Sequence, residues 1–217
     1  MIPARSAPSH AALRSWCRCF EMTRPDPSLR IGALILAAGD AQRMGRPKAL
    51  LPLEGRTFLE TLLERFARAG IAPILVVLGG AAEEIRSVVK LGLARVVINP
   101  DPSRGQLSSI HCGLQALAPR EVEGLFIAPV DTPRVKVATL QSMKEALADH
   151  PLVVPVFQGR RGHPALFSAS LFPNLLRAPL EEGARFVVHA TPNRLDLPCE
   201  DPAVLEDFDV PEDLRTF

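Results

Sequence analysis

The chain has 217 residues, of which 47% are hydrophobic and 23% charged, and its formal net charge at pH 7 is +1. This length and composition allow a full hydrophobic core, and the small net charge gives no electrostatic reason to expect nucleic acid as a partner. No apolar run approaches the roughly 18 residues that a membrane-spanning helix needs, so we expect a soluble chain without a membrane partner.

The first 30 residues differ in composition from the rest. Arg5, Arg14 and Arg18 precede the first acid, Glu21, among Ser, Pro and Ala, and no amphipathic helical face builds up between the prolines. We therefore predict a disordered N-terminal extension over residues 1–30, with Met22 as an alternative natural start, rather than an organellar transit peptide. Residues 31–217 are predicted to form a single domain.

The four cysteines show neither a C-x-x-C pair nor a zinc-ligand spacing. Cys17 and Cys19 lie near His10, but a fourth ligand is missing there, so we disfavour a metal site in this segment. Free thiols suit a reducing compartment, and the cytoplasm is the predicted location.

From Ile31 onward, strand-like apolar runs alternate with helical patterns. The run "IGALILAA" is apolar throughout, which is typical of a strand buried on both faces. Residues 57–69 carry an apolar stripe at helical spacing, with Thr57 and Glu60 as a capping box and Gly70 as the stop. Further strands are predicted over 73–78, 94–99, 124–130 and 151–157, and further helices over 81–89, 107–117 and 137–148.

This alternation predicts an α/β fold with a mainly parallel sheet and right-handed crossovers. It breaks between Gly159 and Pro164, where we expect an excursion or an antiparallel strand. The segments 172–176 and 181–190 are predicted to contain helices, and the chain is predicted to turn at Pro211 into a last short helix.

Three polar or glycine-bearing loops follow strands of the predicted sheet. They are "GDAQRMGRPK" after Ala38, "NPDPSRGQLSS" after the third strand, and "PVDTPR" at the end of the fourth. In open α/β sheets, ligands bind outside the carboxyl ends of the strands. We therefore expect the chemistry of the protein to gather at this edge.

The first of these loops is not a P-loop, although it is basic and punctuated by glycines. A P-loop reads G-x-x-x-x-G-K-[ST], with the lysine directly after the second glycine. Here Gly39 and Gly45 lie one residue too far apart, and two residues separate Gly45 from Lys48. A P-loop NTPase is therefore disfavoured.

Together the loops resemble the MobA-like nucleotidyltransferases, and most closely the molybdenum-cofactor cytidylyltransferases. The matching segments are Leu36-Ala37-Ala38-Gly39, Arg43-Met44-Gly45 with Lys48, Asn99-Pro100, Gly105 with Ser108-Ser109, residues 129–133, Arg161-Gly162-His163-Pro164 and residues 207–213. The resemblance runs from about Ile31 to Leu214. Ala41 and Val210 stand where the family usually has serine and threonine.

The resemblance implies a Rossmann-like three-layer α/β/α (GT-A-like) nucleotidyltransferase fold with a mainly parallel sheet. It implies transfer of CMP from CTP to a phosphorylated small-molecule acceptor, molybdopterin in the leading interpretation, with release of pyrophosphate and Mg²⁺ as cofactor. Such transfers require mainly positioning and charge neutralisation. Molybdoenzyme maturation proteins are the further partners that it implies.

The resemblance assigns catalysis to Arg43, Lys48 and Asp131. Arg43 brings a bidentate fork and Lys48 a point charge to the triphosphate. Asp131 follows an apolar strand, where a carboxylate needs a partner that Mg²⁺ would supply, and Asp209 is the second implied metal ligand. The structural alternative is that both aspartates only cap helices.

The implied nucleotide-binding residues are Leu36, Ala37, Ala38, Gly39, Arg43, Lys48, Asn99, Gly105, Ser108 and Ser109. Gly39 lets the backbone approach the nucleotide, while the implied contacts with the base and ribose come from Asn99, Gly105, Ser108 and Ser109. Simple helix capping by Ser108 is the alternative. The implied acceptor-binding residues are Arg161, Gly162 and His163, and a plain loop role for His163 stays open.

Base choice is predicted to favour cytosine over guanine. The loop has the A-A-G form, whereas the guanylyl branch of the family typically has A-G-G. The hypothesis is that the methyl group of Ala38 narrows the floor under the base.

Two other functions stay open at this point. One is the same transfer to another acceptor, such as a sugar phosphate. The other is a non-catalytic nucleotide-binding protein that hands over a cofactor. The retained Arg43, Lys48 and Asp131 favour an enzyme.

Overall fold

The computed structural model describes residues 29–39, 46–118 and 120–208, which build an eight-stranded sheet with helices on both faces and a separate two-stranded sheet. The strands are β1 (Ile31–Ala37), β2 (Pro52–Leu53), β3 (Arg56–Thr57), β4 (Ile74–Leu78), β5 (Arg95–Ile98), β6 (Gly124–Pro129), β7 (Leu152–Phe157), β8 (Arg160–Arg161), β9 (Ala165–Ser168) and β10 (Leu195–Pro198). The helices are α1 (Phe58–Arg68), α2 (Ala82–Val88), α3 (Gln106–Ala116), α4 (Val137–Ala146), α5 (Phe172–Arg177) and α6 (Arg185–Ala190). Short 3₁₀ turns lie at Lys48–Leu50, Pro102–Arg104, Ala169–Leu171 and Pro202–Leu205.

The large sheet is mainly parallel, with the strand order β10-β7-β9-β6-β1-β4-β5 and β8 beside β7. The parallel pairs are β1 with β4 and β6, β4 with β5, and β10 with β7. β9 runs antiparallel between β6 and β7, and β8 is antiparallel to β7. The carboxyl ends of β1, β4, β5 and β6 therefore share one edge, and the predicted mainly parallel α/β fold is confirmed.

β1 is buried on both faces, which makes the fold three-layered. Ile31, Ala33 and Ile35 belong to one core cluster, and Leu34 and Leu36 belong to a second, because successive side chains of a strand point to opposite faces. Helices α1, α2 and α4 contribute buried residues to the first cluster, and α3, α5 and α6 contribute to the second. The continuous apolar run in the sequence reflects this double burial.

Helix α1 begins with the predicted capping box. The Thr57 hydroxyl accepts a hydrogen bond from the Glu60 N–H at 3.1 Å, and Glu60 Oε2 accepts one from the Thr57 N–H at 3.0 Å. The bond from the Thr57 N–H is the largest cause of the lowered pKa of Glu60. Gly70, with a φ of 68°, follows the helix, as glycine does at many helix ends.

Thr57→Ala is expected to lower the free energy of unfolding by about 1 kcal/mol, because it leaves an N–H group of the first helical turn without its partner. In a chain of this size the loss corresponds to roughly 2–4 °C in Tm. Thermal unfolding followed by circular dichroism measures it. Thr57→Ser keeps the hydroxyl and serves as the control; equal Tm values for the two variants would contradict the capping role.

The carboxyl-terminal half departs most from the predicted elements. The antiparallel strand expected between Gly159 and Pro164 is present as β8, and the hairpin before it turns at Gln158 and Gly159, whose φ values of 48° and 77° suit a two-residue hairpin turn. β9 and β10 have no predicted counterpart, because both are short and their strand character depends on pairing with distant strands. The last helix, predicted after Pro211, lies outside the described residues, as does the N-terminal extension up to residue 28.

Within the part of the chain that the structure describes, none of the helices has the length and apolar character needed to cross a membrane.

Candidate active site

Among the residues that the structure describes, three charged side chains meet at the carboxyl edge of the sheet. Lys48 Nζ donates a hydrogen bond to Asp131 Oδ2 at 3.0 Å and lies 3.5 Å from Asp207 Oδ1. These partners are 83 and 159 positions away from Lys48 in the sequence. The structure thus brings together two of the predicted catalytic residues and adds a carboxylate, Asp207, that the sequence reasoning did not single out.

The environment of this cluster favours a positive charge beside Asp131. The side chains of Lys48 and Asp131 expose only 20% and 21% of their surfaces. Burial raises the pKa of Asp131, the adjacent Lys48 lowers it, and the neighbouring charge of Asp207 raises it further. A buried carboxylate beside a second carboxylate needs a cation, and the Lys48 ammonium group occupies that position.

The two carboxylates at this point suit a hard divalent cation, although the described residues contain no group of three or more His, Cys, Asp or Glu side chains placed to hold a metal ion. Asp131 and Asp207 both direct carboxylate oxygens at one ammonium group, and Mg²⁺ prefers oxygen ligands of this kind. The Lys48 ammonium therefore marks where a cation is stabilised between the two carboxylates. Asp209, the predicted second metal ligand, lies outside the described residues, and its role stays a prediction.

A cleft of about 310 Å³ opens beside the cluster. Its lining includes Gln106, Pro129, Asp131, Arg160, Arg161, Gly162, His163 and Asp207. His163 is exposed on the cleft side, yet desolvation by the surrounding protein is the largest cause of its lowered pKa, and the nearby charges of Asp131 and Asp207 act in the opposite direction. The neutral imidazole is therefore favoured over the imidazolium.

A larger cavity of about 800 Å³ adjoins this cleft. Apolar and basic side chains both line it, among them Ile127, Val154, Phe167, Arg104, Arg161, Arg185 and His189. The two cavities share the predicted acceptor-binding segment from Arg161 to His163. This segment therefore lies between the carboxylate cluster and the larger cavity.

The guanidinium fork of Arg161 is already engaged by a carboxylate of β10. Arg161 Nε and Nη2 donate to the two carboxylate oxygens of Asp196 at 2.9 and 2.6 Å, and Arg194 Nε donates to one of them at 3.1 Å. These bonds lower the pKa of Asp196, with Arg161 as the largest cause. Asp196 thereby fixes the orientation of Arg161 at the mouth of the cleft.

Gly162 permits a close approach between two backbone segments. Its N–H donates to Pro155 O at 2.9 Å, and the next N–H, of His163, donates to Val204 O at 2.7 Å. A Cβ atom on Gly162 would overlap Val204 O, a backbone atom that cannot rotate away. The R-G-H-P segment therefore requires glycine at this position.

Gly162→Ala is expected to lower the free energy of unfolding by about 1–3 kcal/mol, the usual range for overpacking at a tight site. Urea unfolding followed by circular dichroism measures the change. Gly80→Ala is the matched control, because a Cβ there meets no described atom within 4 Å and the φ of Gly80 is not positive. Similar losses in both variants would contradict the close-approach argument.

Asn99 and the serines of α3 form a buried hydrogen-bond network. Asn99 Nδ2 donates to Ser108 Oγ and Ser109 Oγ, both at 2.9 Å, and Asn99 Oδ1 accepts from the Asp101 N–H at 3.0 Å. The network ties the loop after β5 to the start of α3. Contacts of these side chains with a base or ribose stay a prediction.

Ser108 does not cap α3. The helix begins at Gln106, and Gly105, with a φ of 88°, holds the N-cap position without a side-chain bond. Ser108 lies in the first turn and donates to Gly105 O at 2.7 Å. The alternative in which Ser108 caps α3 is therefore wrong.

The first loop is described only at its two ends. Leu36, Ala37 and Ala38 are buried, whereas Gly39 is exposed and a Cβ on it would meet no described atom within 4 Å. Ala38 belongs to the second core cluster, so its position does not support the hypothesis that its methyl group narrows a base pocket. Arg43 lies outside the described residues, as does Gly45, and the predicted contact of Arg43 with the triphosphate stays a prediction.

The fold is a Rossmann-like three-layer α/β/α fold, with Lys48, Asp131 and Asp207 at the carboxyl edge of its sheet. Residues 33–195 match the family model described as the MobA-like NTP transferase domain. The chain therefore belongs to the MobA-like NTP transferase family, and the resemblance seen in the sequence is confirmed.

Two relatives match along most of their length. The chain is 32% identical over 199 residues to nicotine blue oxidoreductase of Paenarthrobacter nicotinovorans. This alignment covers 85% of the chain and 94% of that protein. The chain is 25% identical over 187 residues to the molybdenum cofactor cytidylyltransferase of Escherichia coli K12, with coverage of 86% and 94%. The two names describe different chemistry, so they do not settle the reaction of this chain.

Solved structures of a mycobacterial protein show the same fold. Rv0371c from Mycobacterium tuberculosis H37Rv superposes with a TM-score of 0.74 at 29% identity, covering 87% of this chain and 97% of that one. A structure of Rv0371c in complex with manganese gives a TM-score of 0.72, with coverage of 86% and 97%. Manganese is thus present in a structure of this similar protein.

Proposed function

We propose that the protein is a Mg²⁺-dependent cytidylyltransferase that transfers CMP from CTP to a phosphorylated acceptor, molybdopterin in the leading interpretation, and releases pyrophosphate. The observation that carries the proposal is the cluster of Lys48, Asp131 and Asp207 at the carboxyl edge of the sheet. Lys48, together with a divalent cation held by the two carboxylates, would supply the charge neutralisation that transfer at a phosphate requires. The family of the chain and the name of its Escherichia coli relative support the same reaction.

In this reaction a phosphate oxygen of the acceptor forms a bond to the α-phosphorus of CTP while the bond to pyrophosphate breaks. Asp131 and Asp207 are the described residues that would hold Mg²⁺, which neutralises triphosphate charge when it is bound. Lys48 lies beside both carboxylates and stabilises negative charge on the triphosphate. Arg43 and Asp209 retain their predicted roles, as fork to the triphosphate and as a further metal ligand.

The larger cavity favours an acceptor that joins a ring system to a phosphate. Apolar side chains such as Ile127, Val154 and Phe167 line it together with arginines, and Glu181 and Glu182 lie in the same lining. A compact sugar phosphate offers little apolar surface to such a lining, whereas a pterin ring offers more. The segment from Arg161 to His163 is where we infer that the acceptor phosphate reaches the cleft.

A pyrophosphate-release screen tests this proposal. The four nucleoside triphosphates, with Mg²⁺, are combined with molybdopterin and with a panel of sugar phosphates. We expect CTP with molybdopterin to give the fastest release. Faster release with GTP would overturn the base assignment, and faster release with a sugar phosphate would reassign the acceptor. Nucleotide binding without release from any pair would indicate a protein that hands over a cofactor.

The name of the relative from Paenarthrobacter nicotinovorans supplies a second candidate, the reduction of nicotine blue. An assay of nicotine blue reduction, with a reduced nicotinamide nucleotide supplied as the electron donor, separates the two candidates. Nicotine blue reduction that persists in Asp131→Asn, without pyrophosphate release in the wild type, would favour the oxidoreductase.

We further infer that the protein acts in the cytoplasm with molybdoenzyme maturation proteins, and that residues 31–217 form its single catalytic domain. The first inference rests on the thiols and on the resemblance seen in the sequence, and the sheet that contains both β1 and β10 supports the second.

A further inference from the structure

The segment from Glu206 to Phe208 carries Asp207 to the active site from the carboxyl-terminal end of the described chain. Each of its three residues has a separate partner. Glu206 pairs with Arg134, Asp207 lies beside Lys48, and Phe208 packs on Phe58. Asp207 therefore lies between two anchored neighbours.

The first anchor is a bidentate ion pair. Arg134 Nε lies 3.1 and 3.0 Å from the two carboxylate oxygens of Glu206, and Arg134 Nη2 pairs with Glu206 Oε1 as well. Both side chains are largely covered, with 23% and 18% of their surfaces exposed. A covered, bidentate pair adds directional specificity that an exposed pair lacks.

The second anchor is aromatic. The ring of Phe208 lies edge-on to Phe58, with centroids 4.9 Å apart and planes at 64°. The guanidinium carbon of Arg134 lies 6.0 Å from the centroid of Phe208, so one arginine contacts both neighbours of Asp207. Phe208 is 3% exposed and belongs to the first core cluster.

Arg134 also comes from the loop that carries Asp131, three residues further along the chain. The loop after β6 therefore provides one of the two carboxylates and also the anchor for the segment that provides the other. The side chain of Asp207 is 64% exposed, and its negative charge repels the negative charge of Asp131. Without an anchor, this repulsion favours an arrangement in which the two carboxylates separate.

We propose that the Arg134–Glu206 ion pair is a positioning device that holds Asp207 beside Asp131, so that both carboxylates face the same divalent cation. Arg134 and Glu206 act through Asp207. The proposal rests on the metal site of the proposed function and adds the residues that preorganise it. Substituting a residue that orients a metal ligand commonly changes the metal affinity about 10–100-fold.

The test is Mn²⁺ binding to the full chain in the presence of CTP, measured from the electron paramagnetic resonance signal of free Mn²⁺. Glu206→Gln is expected to weaken Mn²⁺ affinity about 10–100-fold. In turnover assays it should raise the Mg²⁺ concentration needed for half-maximal rate far more than it lowers kcat. Glu121→Gln is the matched control, because Glu121 also pairs with an arginine, Arg95 at 3.1 Å, but lies outside both cavities of the site. The Mn²⁺ affinity of this control variant should equal that of the wild type.

A double-mutant cycle separates positioning from a general structural effect. If Glu206 acts through Asp207, Glu206→Gln should cause little further loss of Mn²⁺ affinity in an Asp207→Asn background. A full additional loss in that background would overturn the proposal, as would wild-type affinity in folded Glu206→Gln. If Glu206→Gln does not fold, Arg134→Gln replaces it, and wild-type affinity in that variant would be equally decisive.

The same measurement distinguishes this proposal from the proposed function. Wild-type protein that binds no Mn²⁺ with CTP contradicts the metal site itself. Wild-type protein that binds Mn²⁺, with unchanged affinity in Glu206→Gln, contradicts only the positioning role.

Discussion

Asp131→Asn is expected to reduce turnover by about 10²-fold or more, the scale of losing a main electrostatic stabiliser. The substitution keeps the shape of the side chain but removes the charge that a divalent cation or the Lys48 ammonium group requires. Because Asp131 lies at the end of β6 and not inside a helix or strand, the local backbone does not depend on its carboxylate.

The same variant should not lose stability. Burial raises the pKa of Asp131, so folding favours the protonated carboxyl. The contribution of this raised pKa to the free energy of unfolding is fully present below the unfolded-state pKa. It is lost as the pH rises through the folded-state pKa. At neutral pH the ionised carboxylate therefore reduces the free energy of unfolding. Asp131→Asn should unfold at the wild-type temperature or above it, and the difference in Tm should grow from acidic to neutral pH.

Initial rates of pyrophosphate release and thermal unfolding across this pH range provide the two measurements. Asp149→Asn is the control, since Asp149 is exposed and lies outside the cleft beside the cluster. Near-normal turnover of Asp131→Asn at ordinary Mg²⁺ would remove Asp131 from the catalytic site. A lower Tm would show that its carboxylate is mainly structural.

The elements that the sequence predicts well are those whose signals are local. The double burial of β1 is visible as an unbroken apolar run, and the start of α1 is visible in Thr57 and Glu60. Lys48 and Asp131 could be assigned to one site because the carboxyl ends of parallel strands converge, whatever the intervening chain does.

The remaining features depend on contacts that no local pattern encodes. β9 is a strand because β6 and β7 lie on either side of it. Asn99 lies in the loop after β5, as predicted, but its amide turns inward to Ser108 and Ser109, a direction that spacing does not reveal. The position of a residue in the sequence predicts which part of the fold it occupies better than it predicts where its side chain points.

Asp207 illustrates the same limit at the active site. The closing motif contains two aspartates separated by one residue, and the sequence favours Asp209 by resemblance alone. Asp207 lies beside Lys48 on a segment that is anchored at Glu206 and Phe208, and the partners of these anchors lie on distant segments. That information exists only in the folded chain.

Lys48→Met is expected to remove most of the stabilisation that CTP with Mg²⁺ gives to the folded protein. At about 100 times its dissociation constant, a ligand that binds only the folded state stabilises it by about 2.7 kcal/mol. For a chain of this size that is roughly 5–10 °C in Tm. The variant should show a much smaller shift, because the triphosphate loses a point charge at the carboxyl edge of the sheet.

The order of the two proteins should reverse when Mg²⁺ is added without nucleotide, with the larger Tm shift in Lys48→Met. In the wild type, the Lys48 ammonium group lies beside both Asp131 and Asp207 and competes with a cation for their oxygens. In Lys48→Met the carboxylates lose this partner, so Mg²⁺ alone should raise the Tm of the variant more than that of the wild type. Lys90→Met, on an exposed residue outside the cleft, should match the wild type in both titrations. Equal CTP shifts in Lys48→Met and wild type would move the triphosphate away from Lys48, and a smaller Mg²⁺ response in the variant would show that ammonium and cation do not share the carboxylates.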